Sequence, residues 1–186
     1  MFIASQKRKE NIAEYLLYMW QIEDLIRANN LDIDKIKENI VDKSALTDEE
    51  KKQMLEWYES LIDMMRREGV EKTGHLQMNK NVMASLVELH NTLLKDPRFP
   101  EYTRWFYQAL PAIVDLRSKA GANPHGEIET CFDALYGMLL MRLSHKEITP
   151  ATEEAVKQIA QFMALLAHNF HLDEENKLFP ADDNAE

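Results

Sequence analysis

The first 68 residues contain no glycine, and the first proline in the chain is Pro97. Glycine and proline interrupt helices more than any other residues, so a run this long without either is typical of a chain that is nearly all helix. The rest of the sequence shows no convincing strand, internal repeat or linker between domains. We therefore predict an all-α fold, a single-domain bundle of six to seven mostly antiparallel helices.

The composition suits one globular domain. Of the 186 residues, 45% are apolar and 29% are charged, and the formal net charge is −10, which argues against a nucleic-acid partner because phosphate binding needs a basic face. The single cysteine, Cys131, excludes an internal disulfide and fits a reducing compartment. The longest apolar run, 134–141, is too short to span a bilayer, and residues 1–6 lack the apolar core of a signal peptide. We expect an acidic, cytoplasmic protein that does not bind membranes.

The acidity is concentrated at the carboxyl end. Residues 173–186 carry six acids and one lysine, so this segment alone accounts for half of the net charge. Like charges repel, and only Leu178 and Phe179 offer apolar area, so we expect the segment to pack little. The predicted domains are a helical bundle over residues 1–172 and an acidic tail over residues 173–186.

Several helix ends can be read from local signals. Thr47 and Glu50 have the spacing of a capping box, and the helix that they open should end at Gly69. The pairs 123–124 (Asn-Pro) and 149–150 (Thr-Pro) each predict a capping residue followed by proline in the first helical position. Pro111 lies inside a predicted helix over 101–119, where it should cause a kink or a break.

The first long helix is predicted over residues 6–28, and an acid lies on its apolar stripe. The stripe consists of Ile12, Leu16, Met19 and Ile26, with Glu23 among them. A buried carboxylate must be neutralised or paired. The near candidate is Arg27, four residues on, and the far candidates are Arg117 and Arg142.

Two interpretations of this polar region stay open. In the first, Glu23 and its partner form an ion pair that fixes helix register, which the sequence favours. In the second, the region is a small-molecule pocket, for which the candidate ligand-binding residues are Tyr15, Tyr18, Glu23, Arg27 and Arg142.

Most motifs of established chemistry are absent from the sequence. There is no Glu-x-x-His pair of the kind that di-iron bundles use and no glycine-rich phosphate loop. Glu71 and His75 are four residues apart, but Gly74 lies between them. His168 and His171 share a helix face and are a weak candidate for a metal site, although a solvated helix end is the simpler interpretation. We predict no metal and no cofactor.

Two further residues could carry chemistry, but a structural role is the simpler interpretation of each. His90 lies on an apolar stripe and is expected at the boundary of the core with a backbone hydrogen-bond partner, rather than as a catalytic base. Cys131 has no base beside it in the sequence and is expected to be a buried small apolar residue.

Several segments resemble an uncharacterised family of Bacteroidetes proteins, a domain-of-unknown-function family with no assigned activity. The resemblance rests on residues 7–15 (KRKENIAEY), 18–21, 23–27, 57–63 and 127–132. It covers most of the chain as far as the acidic tail. It implies a bacterial, all-helical protein and supplies no catalytic residues.

Three classes of function remain open. The first is a non-catalytic helical protein that mediates protein–protein interaction or self-association, and it should show an exposed apolar patch. The second is a bundle that binds a small molecule at a buried polar site around Glu23 and Arg27. The third is an enzyme that depends on carboxylates or histidine. We rank them in this order because the sequence shows no pair of a nucleophile and a base.

Overall fold

The computed structural model describes residues 2–119 and 125–179, of which 79% are helical and none is in a strand. The all-α prediction is confirmed. The chain separates into two compact units: unit 1 takes in the residues up to Lys9 and Glu14–Val82, and unit 2 takes in Glu10–Ala13 and the residues from Met83 onward. A single domain is therefore not confirmed, and each unit is described by itself.

The described residues form eight α-helices, slightly more than the six to seven that the sequence predicts. They are α1 (Phe2–Glu10), α2 (Ile12–Ala28), α3 (Ile33–Ile36), α4 (Asp48–Glu68), α5 (Gln77–Lys95), α6 (Pro100–Lys119), α7 (Glu127–Leu143) and α8 (Pro150–Glu174). A π-helical turn, Lys37–Val41, follows α3 directly.

The extra helix arises at Asn11. The helix predicted over residues 6–28 is in fact two helices, because Asn11 is not helical and its side-chain oxygen accepts a hydrogen bond from the backbone N–H of Ala13 at 3.0 Å. Such a bond satisfies one of the backbone donors that a helix start leaves unpaired. Asn11 thus marks the start of α2 without a glycine or a proline.

The capping signals of α4 and α8 are confirmed. Thr47 and Glu50 form the predicted capping box, and Gly69 ends α4 with a φ of 68°, in the left-handed region that glycine adopts without strain. Thr149 caps α8, which begins at Pro150. The pair 123–124 lies outside the described residues, and α7 begins at Glu127.

Pro111 does not end its helix. α6 continues through it to Lys119, so the break that the sequence allowed is absent.

Each unit has its own apolar core. In unit 1 the predicted stripe of α2 is buried together with residues of α4: Leu16, Met19, Ile26, Tyr58, Leu61 and Met65. In unit 2 the helices α6, α7 and α8 pack against one another around a core that is rich in aromatic rings: Tyr102, Phe106, Phe132 and Phe162.

The segment after α8 packs more closely than its charge predicts. Asn176 adopts a φ of 56° and turns the chain, and the N–H groups of Lys177 and Leu178 return to the carbonyl of Leu172. Leu178 is buried, and the ring of Phe179 packs against Phe99 at 5.7 Å. The expectation of little packing is therefore wrong for these two residues, and residues 180–186 lie outside the described part of the chain.

Candidate functional site

The most unusual feature of unit 1 is a fully buried acid on α2. Glu23 has no exposed surface, as the apolar stripe predicts. Its carboxylate accepts three hydrogen bonds: at Oε1 from the backbone N–H of Leu76 (2.9 Å) and from Nδ2 of Asn79 (2.7 Å), and at Oε2 from Nδ1 of His75 (2.6 Å). Three donors on one carboxylate satisfy the requirement that a buried acid has hydrogen-bond partners.

These partners are not the arginines that the sequence suggested. Arg27 pairs with Asp24 instead, at 2.8 Å between Nη1 and Oδ1. In unit 2, Arg117 donates to the carbonyl of His125, and Arg142 is exposed on α7. The prediction of an ion pair between Glu23 and an arginine is wrong, because the connection before α5 supplies a histidine, an amide and a backbone N–H.

Arg27 holds this connection in place. Its Nη2 donates to the carbonyl of Val70 at 3.0 Å and to the carbonyl of Gly74. Gly74 has a φ of 85°, a conformation that residues with a side chain rarely adopt. Arg27 therefore fixes the backbone immediately before His75, which explains why its own partner is not Glu23.

His75 is held on three sides. Nδ1 donates to Glu23, the ring stacks on Trp20 with centroids 4.2 Å apart and planes 13° from parallel, and Arg27 anchors the preceding residue. The side chain is 35% exposed, and Nε2 has no hydrogen-bond partner among the described residues. Because a carboxylate only accepts hydrogen bonds, the proton lies on Nδ1, so a neutral His75 presents Nε2 to solvent as an acceptor.

Two carboxylates also cap the start of α5. Glu23 accepts from the N–H of Leu76, and Oε2 of Glu68 accepts from the N–H of Gln77 at 2.6 Å. The N-terminal end of a helix carries a partial positive charge, which negative groups stabilise. Leu76 has no polar side chain to cap the helix itself, so α2 and α4 provide the acceptors. The two carboxylates thus connect α2 and α4 to the first turn of α5, all within unit 1.

The two tyrosines of the sequence-based candidate site lie on α2. Tyr15 is buried, and the guanidinium of Arg8 lies 5.5 Å from its ring centre. Burial raises the pKa of Tyr15 and also that of the partly buried Tyr18, so both hydroxyls stay protonated at neutral pH. Their role as ligand contacts remains a prediction.

An open groove lies elsewhere in unit 1, between the turn after α2 and the helix α4. Its volume is about 600 Å³, and its polar lining includes Asp32, Glu59, Asp63 and Arg66. Three of these groups already have partners: Asp32 caps α3, Arg66 donates to the carbonyl of Leu31 at 3.0 Å, and Asp63 lies 3.8 Å from Arg66. The groove therefore offers few unpaired polar groups to a ligand.

The weak metal candidate of the sequence lies on the surface of α8. His168 and His171 are both exposed, and Nε2 of His171 lies 3.4 Å from Oε1 of Glu175. Within residues 2–119 and 125–179, no three or more His, Cys, Asp or Glu side chains are grouped so that they could hold a metal ion.

Unit 2 contains a second buried polar group. His90 is 2% exposed, its Nδ1 lies 2.7 Å from the hydroxyl of Tyr102, and its ring is surrounded by Phe106 and Phe162. The expectation of a histidine at the core boundary with a backbone partner is wrong on both points. Burial lowers the pKa of His90, although Glu127, 3.8 Å from Nε2, partly opposes this.

Cys131 lies in the same core with no exposed surface, as the sequence predicts. Burial raises the pKa of its thiol well above the ordinary range, so the thiolate that would act as a nucleophile is not formed at neutral pH.

The fold and the site together define a class: an all-helical protein in which a buried carboxylate on one helix accepts hydrogen bonds from the start of another. Among the described residues, no helix is long and apolar enough to cross a membrane. The chain belongs to a family described as a domain of unknown function (DUF4924), whose model matches residues 1–177. No curated protein and no solved structure matches the chain. The predicted membership of a domain-of-unknown-function family is thereby confirmed.

The role of Glu23 can be tested by changing its charge at constant shape. Glu23→Gln places an NH₂ group beside one of three donors, so we expect the free energy of unfolding to fall by about 2 to 3 kcal/mol. Urea denaturation followed by circular dichroism at neutral pH measures the change. Asp24→Asn, at the neighbouring exposed position, is the matched control and should cost under about 1 kcal/mol. Higher stability of Glu23→Gln would contradict the structural role and favour a ligand site.

His90 should make the protein less stable in acid. Because its pKa in the folded state lies below the ordinary value of 6.5, the unfolded chain takes up a proton first as the pH falls through 6.5, and stability decreases. His90→Phe should weaken this pH dependence in urea denaturation. His125 is the control of opposite sign: Asp133 raises its pKa, so its contribution is lost as the pH rises. An unchanged pH dependence in His90→Phe would refute the prediction.

Proposed function

We propose that this chain is a non-catalytic helical protein that acts by associating with proteins, either other chains or copies of itself, through the outer faces of α6 and α7. The observation that carries the proposal is the distribution of exposed apolar side chains. Of the large apolar residues that are exposed in the described chain, four lie on these two helices of unit 2: Tyr107 (62%), Val114 (54%), Leu140 (41%) and Leu143 (64%).

The spacing of these four residues supports the proposal. Tyr107 and Val114 are seven residues apart on α6, and Leu140 and Leu143 are three apart on α7, so each pair shares one helix face. Singly scattered exposed apolar residues are normal on a monomer, whereas contiguous exposed apolar area marks interaction surfaces. The buried polar groups point away from catalysis, since Cys131 and His90 are enclosed in the core of unit 2.

The proposed location follows from composition. We propose a cytoplasmic protein, because Cys131 is a free thiol and free thiols are usual in reducing compartments. The proposal that the protein is bacterial rests on the resemblance to the Bacteroidetes family alone. Nucleic acid is a poor partner for a chain with a net charge of −10. No metal or cofactor enters the proposal.

The proposal can be tested by comparing what the full chain binds in a lysate of its native source. Tyr107→Glu and Leu143→Glu place a charge on each face, whereas Ile3→Glu places one at an equally exposed position in unit 1 and serves as the control. Quantitative mass spectrometry should find at least one protein that wild type and Ile3→Glu enrich and that the two face variants lose by about tenfold or more. Equal recovery with all four proteins would refute the proposal.

A second candidate function is favoured by the open Nε2 of His75. A ring fixed by Glu23 and Trp20 is preoriented, so a small molecule with a hydrogen-bond donor could bind there at little entropic cost. Tyr15, Tyr18 and Arg27 on α2 remain the proposed neighbouring contacts in unit 1. Arg142 belongs to unit 2, and a role for it remains a proposal.

This candidate predicts a bound compound in the protein purified from its native source. Compounds released by denaturation can be identified by mass spectrometry, and one of them should fall by about tenfold in His75→Phe, which keeps the stacked ring but removes Nε2. His125→Phe, at an exposed position of unit 2, is the control. A compound that is absent from wild type, or equally abundant in all variants, would refute this candidate.

A further inference from the structure

The outer face of α6 has a charge pattern that a reversed copy of itself would complement. α6 buries Tyr102, Phe106, Ala109 and Ile113 in unit 2. On the opposite side, Tyr107, Pro111 and Val114 form an exposed apolar strip. This side of the helix therefore combines apolar area with solvent exposure over about two turns in the middle of α6.

Four charges run along one edge of this strip. From the N-terminal to the C-terminal end they are Glu101, Arg104, Asp115 and Lys119, and their side chains are 61% to 69% exposed. The successive spacings are three, eleven and four residues, and because eleven residues make about three full helical turns, the four positions stay in one row beside the strip. The order of the charges is negative, positive, negative, positive.

Leu110 lies near the middle of the row, and each acid on one side of it has a base at nearly the same distance on the other side. Glu101 and Lys119 each lie nine residues from Leu110, and Arg104 and Asp115 lie six and five residues from it. If a two-fold axis passes beside Leu110, a residue of one copy lies opposite the residue of the second copy that is equally far from Leu110 in the other direction along α6. Glu101 then faces Lys119 of the second copy, and Arg104 faces Asp115. A parallel two-fold pair would place the two rows on opposite sides of the interface, so their charges would not meet.

We propose that the outer face of α6 is a self-association surface on which two copies of this chain pack as an antiparallel, two-fold symmetric helix pair. This inference rests on the proposed function and names the partner. Tyr107 of each copy packs against Val114 of the other, with Pro111 near the axis. The charges select the antiparallel orientation, since exposed ion pairs contribute more to specificity than to affinity.

The pairing costs the charged side chains little. Within one chain, Arg104 lies 3.3 Å from Glu101 and Lys119 lies 2.6 Å from Asp115. These are solvated pairs on one helix, which contribute little to stability and can exchange partners across an interface. All four side chains of the row are already exposed, so none has to leave the core before two copies associate.

The dimer should be weak. α6 is about 30 Å long, and one helix from each copy buries less than the roughly 1,200 Å² that separates transient from stable interfaces. We expect a dissociation constant on the order of 10 to 100 μM, with rapid exchange between monomer and dimer.

Sedimentation equilibrium of the purified full chain at low salt, from micromolar to millimolar concentration, tests the dimer. Tyr107→Glu should raise the dissociation constant by about tenfold or more. Ile3→Glu adds the same charge at an exposed position of unit 1 and should leave it unchanged. Circular dichroism checks that each variant is folded.

A charge exchange tests the orientation. Arg104→Glu and Asp115→Arg, made singly, place like charges opposite each other twice in the dimer and should each weaken it by about threefold to tenfold. The double variant restores opposite charges and should return the dissociation constant to near the wild-type value. Failure of the double variant to recover would overturn the antiparallel arrangement.

Disulfide formation tests the position of the axis independently. Pro111→Cys places two thiols close together across the axis, so mild oxidation should give a covalent dimer. In Glu101→Cys the two thiols are separated by about 27 Å along the helices, so it should not cross-link. The native Cys131 has no exposed surface and does not compete.

The outcomes separate this inference from the proposed function. A wild-type chain that stays monomeric at millimolar concentration, together with no cross-link in Pro111→Cys, overturns the second copy as the partner. The proposed function fails only if the variants of α6 and α7 lose no bound protein in the lysate experiment.

Discussion

The arrangement of unit 1 depends on the hydrogen bonds that the buried carboxylate of Glu23 accepts. A negative group without solvent is tolerated only where donors surround it, and here the donors are His75, Leu76 and Asn79. All three belong to the segment that ends the connection after α4 and begins α5. The carboxylate therefore determines where that connection lies and where α5 starts, and Arg27 reinforces the same placement through two carbonyls.

The α-helical fold could be predicted because its signals are local. The spacing of apolar residues on α2 identified the buried side of that helix, including Glu23, and the caps at Thr47 and Thr149 are short-range hydrogen bonds that leave a sequence pattern. Asn11 was missed because its side-chain bond interrupts an otherwise uniform helical stretch without glycine or proline. The burial of Leu178 was missed because its neighbours are charged, which predicts a solvated segment, and because the left-handed turn at Asn176 was not recognised.

The partners of Glu23 could not be predicted in the same way, because they lie 52 to 56 residues away in a connection without periodicity. One signal was available in principle. Leu76, which precedes α5, has no polar side chain to cap it, so the helix needs an acceptor from elsewhere, and Glu23 is an acid in need of donors. In the same way, the sequence suggested Glu23 as the partner of Arg27, whereas Arg27 pairs with Asp24 and donates to two carbonyl groups of the connection.

The long separation between Glu23 and its donors also determines when unit 1 can be completed during synthesis. The chain emerges from the ribosome amino end first, so α2 is exposed before Asn79 has been made. Until then the carboxylate keeps its water, and the adjacent turn of α2 cannot close over it without leaving a charge unpaired. The burial of Glu23 in unit 1 therefore has to wait until the start of α5 has been made and its donors replace that water.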